Sequence, residues 1–363
     1  MTDSQQICVT APGRPAAGRG GDVRAALLAP VPQMLRDSGI PPMALLHRCG
    51  VPPKSLQEPD ARIPYRLAGR LLHECSAATG RADFGLQLGQ RFDFDMLGPT
   101  GALMRQSPTV GAALRNLQRY SAVHDGGALV YLDTTRCDVV ALGYALYDHS
   151  LPGVAMIYDM AIAIGWRMLR GLCGPDWHAV EVSFAGSRPR NAAAHRRMFG
   201  ALPRFDSART EIVFAVDWLD VPIPGADAAA HAAAVRAVEA IEGDADERLL
   251  DRTRAALQAL LITGALRAGG VAAALGTSER SLRRQLQRHG TSLHALTADV
   301  RQHLALHFMA NTRLSLLDIA DALGYGDATA FSRAFKGWAG CAPRKWRALN
   351  ANEARIKATP AAP

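Results

Sequence analysis

Arg280, Arg283, Arg284 and Gln287 share one face of the segment "LGTSERSLRRQLQRHGTSL" (275–293), with Leu282 and Leu286 on the other. Guanidinium and carboxamide groups are fork-shaped donors suited to guanine edges and phosphate oxygens, whereas leucines four residues apart bury a helix face. Arginines alone would describe any solvated helix. Recurrence gives them weight. "VAAALGTSERSLRRQL" (271–286) is matched by "IADALGYGDATAFSRAF" (319–335), with Val271, Ala272, Leu275 and Gly276 against Ile319, Ala320, Leu323 and Gly324 at a spacing of 48. After the glycine the spacing is 49, pairing Ser278 with Asp327, Arg284 with Arg333 and Leu286 with Phe335, so one residue is added at Tyr325–Gly326.

Each element of the repeat has a physical reason. Alanine four residues before glycine lets two helices cross closely, and the glycine permits the left-handed backbone of a tight turn. Ser278 and Asp327 can each cap the helix that follows. Phe331 and Phe335 repeat the buried spacing of Leu282 and Leu286. The reading is two helix-turn-helix motifs. Opposite its buried residues the first copy offers Arg280, Arg283, Arg284 and Gln287, with Ser278 and Ser281 beside them, and the corresponding stretch of the second carries Asp327, Thr329, Ser332 and Arg333.

Charge agrees. The net +8 of the 363 residues lies wholly beyond residue 245, where 17 Lys and Arg face 9 Asp and Glu. A basic unit of this kind suits a polyanion. The six cysteines (Cys8, Cys49, Cys75, Cys137, Cys173, Cys341) are scattered without metal-ligand spacing and read as reduced thiols in a cytoplasmic protein. The chain starts without a signal-like apolar run, and its most apolar stretch, "LPGVAMIYDMAIAIGWRML", is broken by Asp159 and Arg167 and reads as a buried helix with no membrane role.

The elements ahead of the repeat form a different unit. Residues 1–22 read as a disordered tail and 23–222 as an α+β domain. Within it, "PYRLAGRLLHECSAAT" (64–79) has helical periodicity. "SPTVGAALRNLQRYSAVH" (107–124) does too, with Ser107 as cap and Pro108 at the first position. "ALVYLD" (128–133) and "CDVVALGYAL" (137–146) read as a hairpin, 153–171 as a long helix, and 179–184 and 211–216 as further strands. Residues 223–245 read as an alanine-rich linker, 246–350 as an all-α DNA-binding domain, and 351–363 as a second disordered tail.

Other candidates are weaker. His303 and His307 are four apart, but no Glu sits beside His303 and no third ligand is near, so no metal site is expected. Ser107, Ser183 and Ser187 lack a nucleophile-elbow context, which points away from an enzyme. His124, Tyr131, Tyr144, His149, Tyr158 and Trp166 either line an effector pocket or pack the core; Asp159 and Arg167 either flank that cavity or lie on an exposed edge.

"SERSLRRQLQRHGTSLHALTADVRQHLALHFM" and "LSLLDIADALGYGDATAFSRAFKGWAGCAPRKWR" resemble the AraC/XylS family of bacterial transcription regulators over about 250–347. "PDARIP", "GLQLGQRFD", "LGPTGALMRQSPTVGAAL" and "HRRMFGALPRFDSARTEIVF" extend the resemblance to the arabinose-binding-type N-terminal effector domain of one branch, over about 25–220. The resemblance implies two helix-turn-helix units joined by one helix, here "LTADVRQHLALHFMAN", that place recognition helices in successive major grooves. It implies base reading by Arg280, Arg283 and Arg284 in the first unit and by Thr329 and Arg333 in the second, with Lys336, Arg344 and Lys345 on phosphates. It further implies a homodimer without a cofactor, an unknown small-molecule effector on the N-terminal domain, and activation of transcription through RNA polymerase. Two departures stand out. Ala328 and Ala330 shorten the reach of the second recognition helix, and "RAGGVAAALG" lacks a polar cap, so the helix it starts should be short. Two alternatives stay open for the N-terminal domain: a pure dimerisation module, or a catalytic or haem-type sensor with His124 or His149 on the iron.

Overall fold

The computed structural model describes residues 21–134, 136–146, 151–242, 249–262, 264, 266–275, 277–312 and 314–349. The chain divides into two compact units, one ending and the other beginning at Leu249–Leu250. The first is α+β and the second is helical throughout its described residues.

In the first unit, β1 (Asp22–Arg24) pairs antiparallel with β2 (Arg62–Pro64), enclosing α1 (Val31–Asp37) and α2 (Pro42–Cys49). This corrects the expected tail boundary. Asp22 is a paired strand residue opposite Pro64, and the Gly21 carbonyl accepts the Tyr65 amide at 3.1 Å. Helices α3 (Tyr65–Thr79), α4 (Phe84–Gly89), α5 (Pro99–Arg105) and α6 (Val110–Arg119) follow. α6 starts later than its sequence suggests, because Thr109 is the cap, accepting the Ala112 amide at 3.2 Å. Ser107 is turned backward instead, donating to the Leu103 carbonyl at 2.8 Å.

The hairpin forms as β3 (Ala128–Asp133) and β4 (Val139–Leu146), followed by α7 (Val154–Cys173), β5 (Glu181–Ser183), α8 (Ala193–Phe199) and β6 (Glu211–Ala215). All neighbours in this sheet are antiparallel, in the order β3-β4-β6-β5. Tyr131 lies opposite Gly143 and covers it with its ring, so a Cβ at Gly143 would meet the Tyr131 Cζ at 1.9 Å. α7 is apolar nearly all round because it is covered on two sides. The sheet packs on one, and α4 approaches on another through Gly85 and Gly89, whose added Cβ atoms would meet Met156 O at 2.3 Å and Ala163 Cβ at 2.5 Å. Glycines four apart on α4 thereby let two helix backbones touch.

The expected linker is, for most of its length, a packed element of the first unit. α9 (Ala228–Glu242) buries Ala234 and Val238 against Leu103, Tyr120 and Val123, with Asp227 capping it through the Ala230 amide at 2.7 Å. The apolar residues at i and i+4 are enough to dock a helix about half of whose residues are alanine.

The second unit contains α10 (Leu249–Ile262), α11 (Gly270–Ala274), α12 (Glu279–Arg288), α13 (Leu293–Asn311), α14 (Leu316–Ala322), α15 (Ala328–Ala339) and a closing helix α16 (343–349). The sequence repeat is thus a structural one: α11–α12 and α14–α15 are the two helix-turn-helix pairs, and α13 joins them. Among the described residues no helix is long and apolar enough to cross a membrane.

Candidate functional site

The first helix-turn-helix pair is built from little. α11 has five residues, follows Gly269 in the left-handed region (φ 75°), and has no side-chain cap, as the bare "RAGG" sequence leads one to expect. α12 is better founded. Ser278 Oγ accepts the Ser281 amide at 3.2 Å, and Leu282 and Leu286 are buried beneath the helix. That burial fixes the helix's roll. Arg280, Arg283, Arg284 and Gln287 are all exposed as a consequence, with Ser281 half-buried beside the cap.

The second pair is more tightly held. A reciprocal capping box joins Ser315 and Asp318 at the start of α14, and Gly324 makes the turn with φ 68°. Asp327 accepts the Thr329 and Ala330 amides, both at 2.7 Å, and these bonds hold its carboxyl below the usual range. Arg301 on α13 donates to the Leu323 carbonyl at 3.0 Å and lies over the Tyr325 ring, tying the joining helix to this turn. Phe331 and Phe335 are fully buried, leaving Thr329, Arg333 and Lys336 exposed and Ser332 half-buried. Arg344 and Lys345 are exposed on α16.

Sequence reasoning missed Arg347, one turn along from Arg344. Its Nε and Nη2 are enclosed without a hydrogen-bond partner, beside a recess lined by Ser315, Thr329, Ser332 and Arg344. An unsatisfied guanidinium among hydroxyls and a second arginine is a place for an anion.

The first unit holds a cavity between α7 and the sheet. Its walls are apolar, with Val130, Leu142 and Ile212 from the strands and Met160, Ile164 and Met168 from α7. Its polar lining is confined to Tyr65, His124, Asp125 and Tyr144. Tyr65 and Tyr144 hydroxyls stand 2.7 and 2.8 Å from Asp125 Oδ2 and 2.5 Å from each other. Two phenolic protons serve two sides of that triangle. Burial pushes the Asp125 carboxyl above its ordinary pKa, against the bonds from the two phenols and the Gly127 amide, which pull it down. His124 is buried, and its Nδ1 has no partner.

Of the eight residues weighed for an effector pocket, His124 and Tyr144 line this cavity, while the Tyr158 hydroxyl accepts the Leu146 amide at 3.3 Å. Tyr131 donates to Glu211 at 3.1 Å beneath Gly143. Trp166 packs edge-on against Trp177 and Phe199, and Arg167 is exposed. Asp159 is buried at 2.9 Å from His195 Nε2, so it neither flanks the cavity with Arg167 nor lies on an edge. His149 lies outside the described residues. Tyr65 and Asp125 carried no sequence signal, one reading as the first residue of a helix and the other as part of a turn. Among the described residues no cluster of His, Cys, Asp or Glu could hold a metal ion; His303 instead contacts the Asp299 carbonyl at 2.7 Å.

Burial, helped by the charges of Arg62 and Arg24, lowers the His124 pKa from 6.5 to about 3. As pH falls below 6.5 the unfolded imidazole takes up a proton and the folded one does not. The unfolded state therefore binds more protons between pH 6.5 and 3, and stability is lost as the medium is acidified. Urea titrations across that window should show wild type losing up to a few kcal/mol relative to His124→Phe. The upward-shifted carboxyls Asp125, Asp159 and Glu211 act with the opposite sign and are common to both proteins. Parallel pH profiles for the two proteins would contradict a neutral buried His124.

Comparison with known proteins agrees over both units. Residues 39–223 match the family model described as the arabinose-binding domain of AraC transcription regulator, N-term. Residues 271–349 match the one described as helix-turn-helix domain. The chain is 30% identical over 332 residues to the HTH-type transcriptional regulator VirS of Mycobacterium tuberculosis, covering 91% of this chain and 97% of that one. It is 29% identical over 330 residues to the ornithine utilization regulator of Pseudomonas aeruginosa, covering 86% and 93%. Among solved structures, the transcriptional regulator CdpR of Pseudomonas aeruginosa aligns over 86% of this chain and 97% of its own, at 22% identity and a TM-score of 0.41.

Proposed function

The chain belongs to the AraC family of transcription regulators, and on that premise we propose that it reads a specific operator with both recognition helices under the control of a small molecule bound by its N-terminal unit. It is a DNA-binding regulator and not an enzyme. The observation that carries sequence-specific reading is the pair of capped helices with buried apolar faces, whose opposite faces present Arg280, Arg283, Arg284 and Gln287, and Thr329 and Arg333, to solvent. Exposed forks on a helix of fixed roll can be aimed at base edges in a major groove. Lys336, Arg344 and Lys345, joined by Arg347, then serve phosphates, which position without specifying. Activation through RNA polymerase, a homodimeric state and a cytoplasmic location are inferred from the family and from the DNA partner.

The test is a base-substitution scan of an operator selected from a random duplex pool. Arg280→Ala or Arg284→Ala should flatten base preference in the half-site under the first unit, by about 1–3 kcal/mol at the contacted base. Arg333→Ala should remove most of the smaller preference in the other half-site, because Ala328 and Ala330 add no reach, and Thr329→Ala should cost less. Uniform loss at every operator position in the first-unit variants would assign those arginines to the backbone and place base reading elsewhere.

A further inference from the structure

We propose that the cavity between α7 and the sheet takes a slender, uncharged, largely apolar molecule with one hydrogen-bonding head, an alcohol or phenol in chemical class, and not a sugar or an ion. This rests on the reading that the N-terminal unit binds an effector, and it narrows that reading to a ligand class.

Three observations carry it. First, the polar groups that line the cavity are nearly all committed. The Tyr65 and Tyr144 hydroxyls and Asp125 bond to one another, and the Gly127 amide takes the second Asp125 oxygen at 3.1 Å. Among the described residues His124 Nδ1 has no partner, in a lining residue only 4% exposed. A buried nitrogen left unpaired is unfavourable until something bonds to it. One such atom calls for one head group. A hydroxyl suits it in either tautomer, since a hydroxyl both donates and accepts.

Second, the remaining walls cannot serve a polyol. A sugar would press its other hydroxyls against Val130, Leu142, Ile164, Met168 and Ile212, stripping water from each without replacing it.

Third, among the described residues no Lys or Arg lines the cavity. Arg24 and Arg62 stand near His124 but already pair with Asp60 and Asp22. A carboxylate head would find no cation in the lining itself, since Arg24, whose enclosed Nε has no partner, stands outside it. An ammonium head would have to compete for Asp125, whose oxygens already accept from Tyr65, Tyr144 and the Gly127 amide and whose charged form burial disfavours.

The experiment is calorimetric titration of the full chain with primary alcohols from 1-butanol to 1-octanol, beside hexanoate, hexylamine and L-arabinose. Alcohol affinity should rise about fourfold per added methylene until the cavity is full. Hexanoate, hexylamine and arabinose should bind at least about tenfold more weakly than 1-hexanol. His124→Phe should lower 1-hexanol affinity about fivefold by removing the head's partner. Gly165→Ala, which adds a methyl 3.3 Å from Ile212 Cδ1 at the cavity wall, should lower it severalfold. Thermal melts of the same variant, in which helix propensity gained offsets the tight Ile212 contact, separate lost binding from lost folding.

Equal or tighter binding of hexanoate, hexylamine or arabinose overturns the assignment. So does the absence of heat with every alcohol, or alcohol binding indifferent to both variants. Operator affinity is measured with and without 1-hexanol in parallel. If alcohols bind as expected but operator affinity is unchanged, the ligand class stands and effector control falls. If alcohols fail while a polar metabolite shifts operator affinity, control stands and the ligand class falls.

Discussion

Raising monovalent salt fourfold should weaken operator binding by about 10²–10⁴-fold, the largest single effect expected of this chain. Each phosphate neutralised contributes about −0.9 to the slope of log affinity against log salt, and four to seven contacts give roughly that range. The exposed cations that can supply them are Arg280, Arg283, Arg284, Arg333, Lys336, Arg344 and Lys345. Fluorescence anisotropy of a labelled duplex over a salt series measures the slope. Lys336→Ala, Arg344→Ala and Lys345→Ala should each make it shallower by about one and weaken all sequences alike. A flat salt dependence would leave DNA binding without its electrostatic basis.

Phe335→Ala should cost about 3–5 kcal/mol and take the second helix-turn-helix pair apart. The ring has no exposed surface and packs at centroid distances of 5.7 Å from Phe331 and 5.8 Å, edge-on, from Trp346. Truncation removes the contact that α15 makes with both its own preceding turn and α16. Since whole domains are stable by about 5–15 kcal/mol, the loss is a large share of the total. Urea unfolding followed by helical circular dichroism should show an early transition for the DNA-binding unit, while that of the N-terminal unit stays in place. Arg333→Ala, two residues away but exposed, should leave both transitions unmoved and serves as the control. A Phe335→Ala protein that unfolds like wild type would mean that the second repeat is not held by this core.

The DNA-reading half was legible in the sequence because its information is local. Leu282, Leu286, Phe331 and Phe335 each lie within one helix turn of their partner, and Ser278 and Asp327 cap helices two or three residues on. The frailty of α11 was legible for the same reason, from two glycines with no hydroxyl or carboxylate beside them. The cavity was not legible, because its polar cluster is assembled across the fold. Tyr65 and Asp125 meet 60 residues apart, and Asp159 finds His195 at a separation of 36. No periodicity announces such pairs. Strands β1 and β2 are too short to alternate. The cap of α6 was ambiguous because "SPT" offers two hydroxyls, and the choice of Thr109 goes with a distant backbone bond, from Val110 to the Val221 carbonyl at 3.0 Å. In α9, alanine surrounds two docking residues, Ala234 and Val238, and composition hid them.

The joining helix α13 has a consequence for the genome and not only for the protein. Its 19 residues make a rod about 28 Å long, capped at one end by Ser292 and clamped near the other element of the repeat by Arg301. Two reading heads on a stiff rod cannot slide apart to suit a promoter. Successive major grooves on one face of B-DNA come round about every 34 Å, so, with each helix-turn-helix pair reading its own groove as proposed, the rod translates into a fixed count of base pairs between the two words of the operator. Point changes within a word weaken the message by degrees, but an insertion of half a helical turn between the words carries the second to the far side of the duplex, where no rotation of a rigid helix can follow. The syntax of the regulated promoters is in this sense a length, set by nineteen residues.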